Sequence, residues 1–139
     1  MTLEEFTAQF LNYVKTACSV GDCYPQPGLI ERDDGALAVL AMAVPPEQLV
    51  RVLVATANDT QVRRIAFGLD RFTKPGQGTT MGSVFTYTVA ERGGEPSYGF
   101  VEYDGDGGQR QHDLTPEDYW YEYQAASSKR VLAAFSAER

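Results

Sequence analysis

The stretch of this chain best equipped for chemistry is Thr73-Lys74-Pro75-Gly76-Gln77-Gly78-Thr79-Thr80. Its two glycines let backbone N–H groups converge, and Lys74, Thr79 and Thr80 add side-chain donors, which together suit a concave anion site. It is not a P-loop, because that motif sets lysine and a hydroxyl residue directly after its second glycine, at a helix start. Here Lys74 precedes both glycines and the segment that follows reads as strand, so no helix dipole assists. Arg63, Arg64 and Arg71 lie shortly upstream. The expectation is a site for a small, nucleotide-like anion built from Arg63, Arg64, Arg71, Lys74, Gly76, Gln77, Gly78, Thr79 and Thr80. The same composition also suits a plain connection between strands.

A second constellation is Glu117-Asp118-Tyr119-Trp120-Tyr121-Glu122-Tyr123. At 100° per residue, Tyr123 shares a side with both Trp120 and Tyr119, which leaves Tyr121 facing elsewhere. Aromatic surface flanked by acids suits a protein interface, where Tyr and Trp are enriched. Glu117, Asp118, Tyr119, Trp120, Tyr121 and Glu122 are the expected interaction residues. The competing reading packs this helix between the sheet and another element.

Other candidates carry less. Asp104-Gly105-Asp106-Gly107-Gly108 departs from the EF-hand pattern at its fifth, sixth and twelfth positions. His112-Asp113 reads as a loop, and adjacent side chains seldom aim at one another. Cys18 and Cys23 form no disulfide framework, and with the single histidine they match no zinc spacing. No metal, no cofactor and no catalytic residue is expected, and the reading leans away from an enzyme.

The elements that must position these residues follow from periodicity. Thr2 and Glu5 form a capping box for a first helix with Leu3, Phe6, Phe10, Tyr13, Val14 and Ala17 on one stripe. Leu29–Arg32 and Ala36–Ala43 read as a hairpin closed by a type I′ turn at Asp33-Asp34-Gly35. The second run is almost wholly apolar and reads as a central strand. Pro45-Pro46-Glu47 opens a second helix with Leu49, Val50, Leu53, Val54 and Ala57 buried. Val62–Phe72, Met81–Glu91 and Tyr98–Tyr103 form a meander, and Thr115-Pro116 opens the last helix, whose middle Ser127-Ser128 weakens. The order is α-β-β-α-β-β-β-α, predicting a single α+β domain with a five-stranded, mainly antiparallel sheet and packed helices.

The 139 residues carry 12 basic and 19 acidic side chains, a net charge of −7. That balance argues against binding a DNA or RNA polymer or an anionic membrane surface. The charge is uneven: Gln61–Arg92 holds five bases against Asp70 and Glu91, whereas Glu102–Glu122 holds seven acids against Arg110. The N-terminus lacks signal-peptide features, so a cytoplasmic protein is expected. Two functions follow: a non-enzymatic, self-associating binder of a small anionic, nucleotide-like ligand, of a size common among phage and mobile-element accessory proteins, or an acidic inhibitor or adaptor docking on a basic protein surface.

Overall fold

A computed structural model describes residues 1–17, 26–72, 83–103 and 109–136. Three helices and six strands follow the order α1 (Leu3–Ala17), β1 (Gln26–Arg32), β2 (Leu37–Met42), α2 (Pro46–Ala57), β3 (Val62–Phe72), β4 (Ser83–Glu91), β5 (Ser97–Tyr103), β6 (Gln109–Asp113) and α3 (Tyr121–Ser136). The strands form one antiparallel sheet in the spatial order β2-β1-β3-β4-β5-β6. The fold is α+β, with six strands where the sequence suggested five. The added strand β6 reads QRQHD and offers no apolar alternation to detect; it exists because it pairs with β5 from Tyr103↔Gln109 to Gly99↔Asp113.

Helix α1 lies on one face and α2 with α3 on the other. Strand alternation decides which residue meets which helix. Phe6, Phe10 and Val14, spaced four apart, pack on Leu29, Ala66, Phe85, Tyr87, Val89 and Val101. Leu49, Leu53, Ala57, Val131 and Phe135 meet Ile30, Met42, Ile65, Phe67 and Ala90 on the reverse face. The α1 start is capped as its sequence predicts: Thr2 Oγ1 accepts from the Glu5 N–H, and the Thr2 N–H donates to Glu5 Oε1, both at 3.1 Å. The Thr2 backbone donor holds the Glu5 carboxyl below the usual glutamate range.

Two glycines make room for the rings beneath α1. A Cβ on Gly68 would sit 2.3 Å from the Thr86 carbonyl oxygen and 2.5 Å from the Phe85 ring. A Cβ on Gly99 would sit 2.3 Å from the Tyr87 ring. Phe85 and Tyr87 therefore lie sideways over neighbouring strands and meet Phe10, with centroids at 6.3 and 5.6 Å. Gly68→Ala is expected to destabilise by about 1–3 kcal/mol in urea unfolding, because the backbone oxygen cannot yield. Gly94→Ala, whose nearest neighbour would lie 3.4 Å away, is the matched control.

Four sequence expectations change. The apolar run at β2 is the outermost strand, with Ala38, Leu40 and Met42 turned to the α2 side and Leu37 and Val39 40% and 55% exposed. The central position goes to β3, where Ile65 and Ala66 are fully buried. The β1–β2 connection is a three-residue loop with the Gly35 N–H on the Arg32 carbonyl and φ +87° at Gly35, which fits a type I turn with a glycine bulge instead of type I′. The last helix begins at Tyr121, not beside Thr115. Ser128 does not weaken it but joins a buried network.

That network binds α3 to β4. The Thr86 hydroxyl donates to Gln124 Oε1 at 2.6 Å, Gln124 Nε2 donates to Thr88 Oγ1 at 2.8 Å, and Ser128 Oγ donates to the Gln124 carbonyl at 2.7 Å. Since that bond uses the single Ser128 proton, the 2.7 Å contact between the Thr88 and Ser128 hydroxyls is donated by Thr88. All four residues are 0% exposed. Buried polar groups need such mutual satisfaction, and it fixes the register of α3 where apolar packing alone would not.

Candidate functional site

The expected anion-binding residues do not converge among the described residues. Arg64 is 3% exposed and belongs to an ionic cluster beneath the start of α1. Its Nη1 lies 2.6 and 2.8 Å from the two Glu31 carboxylate oxygens and 2.8 Å from the Met1 carbonyl, and its Nη2 lies 2.9 Å from Glu91 Oε1. Arg63 Nε is 3.9 Å from the same Glu31, which is itself 1% exposed. Arg71 pairs with Val84 toward the opposite end of β3. Arg71 lies seven positions along the extended strand from Arg64, about 23 Å away. Lys74, Gly76, Gln77, Gly78, Thr79 and Thr80 lie outside the described residues, as do Cys18, Cys23, Asp104 and Asp106.

Arg92, counted in the same basic segment, is also engaged within the fold. Its guanidinium donates to the carbonyls of Val62, Ala57, Asp59 and Phe135 and lies 4.4 Å above the Phe135 ring. One cation thus serves the C-terminal ends of α2 and α3, where orphan carbonyls concentrate negative dipole charge. Arg32 pairs with Asp59 at 3.2 Å. The Gln61 backbone N–H, and then Arg32, hold the Asp59 carboxyl below the usual aspartate range.

The acidic, aromatic segment forms a compact surface. Tyr119, Trp120 and Tyr123 are mutually in contact, with ring centroids 4.8, 5.3 and 5.6 Å apart. Tyr119 is 43% exposed and Tyr123 49% exposed. Tyr121 turns away and meets Tyr98 edge-on at 5.5 Å. Glu117 and Glu122 are exposed and flank the rings in sequence, and Lys129 and Arg130, also exposed, follow two turns along α3. Burial, then Tyr121 and the Glu95 carboxylate, pushes the Tyr98 hydroxyl above its ordinary value.

Asp118 has a different task from its neighbours. Its Oδ2 accepts from the Thr115 N–H at 2.7 Å and from the Thr115 hydroxyl at 3.0 Å, closing a turn before α3. That local bond uses up the capping signals that suggested an earlier helix start. Asp118→Ala is expected to cost about 1 kcal/mol in urea unfolding, whereas Glu117→Ala stays within about 0.5 kcal/mol.

His112 lies in β6 and not in a loop. Its Nε2 is 2.9 Å from Glu102 Oε1 and its ring stacks on Phe100 at 4.8 Å, so Asp113 is not its partner. Among the described residues, no group of three or more His, Cys, Asp or Glu is placed to hold a metal ion. No helix among them is long and apolar enough to cross a membrane.

Two grooves that sequence reasoning missed flank α1. A sheet of six strands spans about 24 Å, and one helix covers about 10 Å of it. A groove of about 410 Å³ lies between α1 and β5–β6, lined by Ala8, Leu11, Asn12, Lys15, Val101, Gln109 and Gln111. On its floor, Gln111 Nε2 donates to the Tyr87 hydroxyl at 2.8 Å. A second, of about 280 Å³, lies between α1 and β2 against Leu29, Leu37 and Val39. Only the apolar character of both faces of β2 could have signalled it in the sequence. Comparison with protein-family models, curated proteins and solved structures finds no match to this chain.

Proposed function

We propose that this chain is a non-enzymatic protein-interaction module whose acidic, aromatic surface at the start of α3 docks on a basic surface of a partner protein, as an inhibitor or adaptor would. The observation that carries the reading is the triad of Tyr119, Trp120 and Tyr123, with two half-exposed rings beside the exposed carboxylates of Glu117 and Glu122. Rings locked against one another present contact area at little entropic cost, and a surrounding acidic rim steers a basic partner. A cytoplasmic setting goes with this reading, since two cysteines supply no disulfide framework.

The small-anion reading has less support. Arg64, one of its expected cations, and Arg92, from the same basic segment, are engaged with carboxylates and helix-end carbonyls, and its glycine-rich loop lies outside the described residues. Trp120 is the only tryptophan and reports directly from the proposed surface. Its fluorescence should respond saturably to an arginine- and lysine-rich peptide, with affinity falling as salt rises. Glu117→Lys with Glu122→Lys should weaken binding at least about tenfold, while Asp33→Lys with Asp34→Lys leaves it unchanged. Equal loss in both double variants would show diffuse charge attraction and overturn the proposal.

A further inference from the structure

The two edges of the sheet are built differently. The β6 edge carries Arg110, His112 and Asp113 among glutamines, the charged composition that discourages strand addition. The β2 edge reads LAVLAM, without a charge or a proline. Among the described residues no strand lies beyond it. The ladder fixes which of its backbone groups point outward. The Arg32 N–H donates to the Ala36 carbonyl, so in the register Ile30↔Ala38 and Gly28↔Leu40 the bonds alternate. Ala38 and Leu40 thus spend their backbone groups on β1, and Leu37, Val39 and Ala41 turn theirs to the open side. Leu37 and Val39 are also the half-exposed side chains beside the groove against Leu29 and Tyr13.

We infer that β2 pairs antiparallel with β2 of a second copy of this chain, making one continuous sheet across a two-fold axis. The strand is its own complement: a uniform, uncharged six-residue segment pairs with itself antiparallel under two-fold symmetry, and such an interface closes at the dimer. Charge selects the orientation. Antiparallel pairing sets the Asp33-Asp34 turn of each copy beside the uncharged Met42–Pro45 end of the other, whereas parallel pairing would bring the two acidic turns together. Pairing centred on Val39 also places Leu37 and Val39 of both copies on one face, between the two α1 helices, and covers apolar surface that each copy leaves open. This inference is independent of the aromatic surface at α3.

Sedimentation of the full chain across micromolar to near-millimolar concentration should show a monomer–dimer equilibrium. Backbone hydrogen exchange reads the interface directly. At a total concentration about 100 times the dissociation constant, about 7% of the chain stays monomeric, so the amides of Leu37, Val39 and Ala41 should exchange about fifteenfold more slowly than in dilute protein. Val39→Lys sets a charge on an exposed position, so it should fold normally, sediment as a monomer and lose that protection. A wild-type chain that stays monomeric throughout overturns the inference. So does a dimer that survives Val39→Lys, or one whose Leu37, Val39 and Ala41 amides exchange at the dilute rate.

Discussion

Replacing Arg64 by methionine is expected to lower the free energy of unfolding by about 3–5 kcal/mol, a fall of roughly 10–15 °C in Tm for a domain of this size. Arg64 is the principal cation against Glu31, with both carboxylate oxygens within 2.8 Å and the carboxylate 1% exposed. Without it, among the described residues Glu31 faces only Arg63, 3.9 Å away on a side chain 43% exposed. A buried carboxylate stripped of its partner keeps its desolvation penalty and loses its compensation. The companion prediction isolates that cause. Arg64→Met combined with Glu31→Leu should recover most of the loss, because a buried ion pair exchanged for apolar packing of similar volume is often neutral. Urea unfolding followed by circular dichroism measures both. A single variant within about 1 kcal/mol of wild type contradicts this assignment, as does a double variant no better than the single. An arginine kept for an anionic ligand would behave otherwise, sparing stability when replaced.

Arg92→Ala should cost about 2–4 kcal/mol, since hydrogen bonds to a charged donor contribute about 1.5–3 kcal/mol each and water replaces part of them. The side chain reaches four carbonyls on three segments: the Val62 strand start, the Ala57–Asp59 end of α2 and Phe135 near the end of α3. Lysine keeps the charge near both helix ends but has no planar fork to reach four acceptors. Arg92→Lys should therefore retain about half of the stability that alanine loses. Hydrogen exchange adds a spatial signature, with the last turns of α2 and α3 losing protection together. Loss confined to one helix would show that Arg92 does not join them.

These two arginines mark where sequence reasoning reaches its limit. Local rules located the helices and the meander because their signals are periodic: Phe6, Phe10 and Val14 repeat every four residues, and Phe85, Tyr87 and Val89 alternate against Thr86 and Thr88. The ring pairings of Tyr119, Trp120 and Tyr123 were also legible from helical spacing, although two of them precede the helix. What could not be read was everything set by distant partners. Glu31 lies 33 residues from Arg64, so a local charge count assigned that arginine to a ligand when a neighbouring strand already held its counter-ion. The apolar run at Leu37–Met42 likewise gives no sign of whether a strand lies on one side of it or two. Strand β6 was hidden for the opposite reason, because an exposed edge stabilised by ladder hydrogen bonds needs no apolar alternation.

The charge imbalance between the two halves resolves in the same terms. Arg64 and Arg92 are engaged inside the fold, and Glu102 is met locally by Arg110 at 3.5 Å and His112 at 2.9 Å. Asp118 is held by Thr115. Glu117 and Glu122 remain exposed beside the ring triad.

Amide chemical-shift mapping of the full chain, titrated in parallel with an arginine- and lysine-rich peptide and with a nucleotide triphosphate, tests the proposed role of that surface most directly. Peptide-induced shifts should centre on Glu117–Tyr123, fade with salt and vanish in Glu117→Lys with Glu122→Lys, while the nucleotide moves no resonance specifically. Saturable nucleotide shifts around Arg71 and Ser83, with none from the peptide at Tyr119–Tyr123, would contradict it.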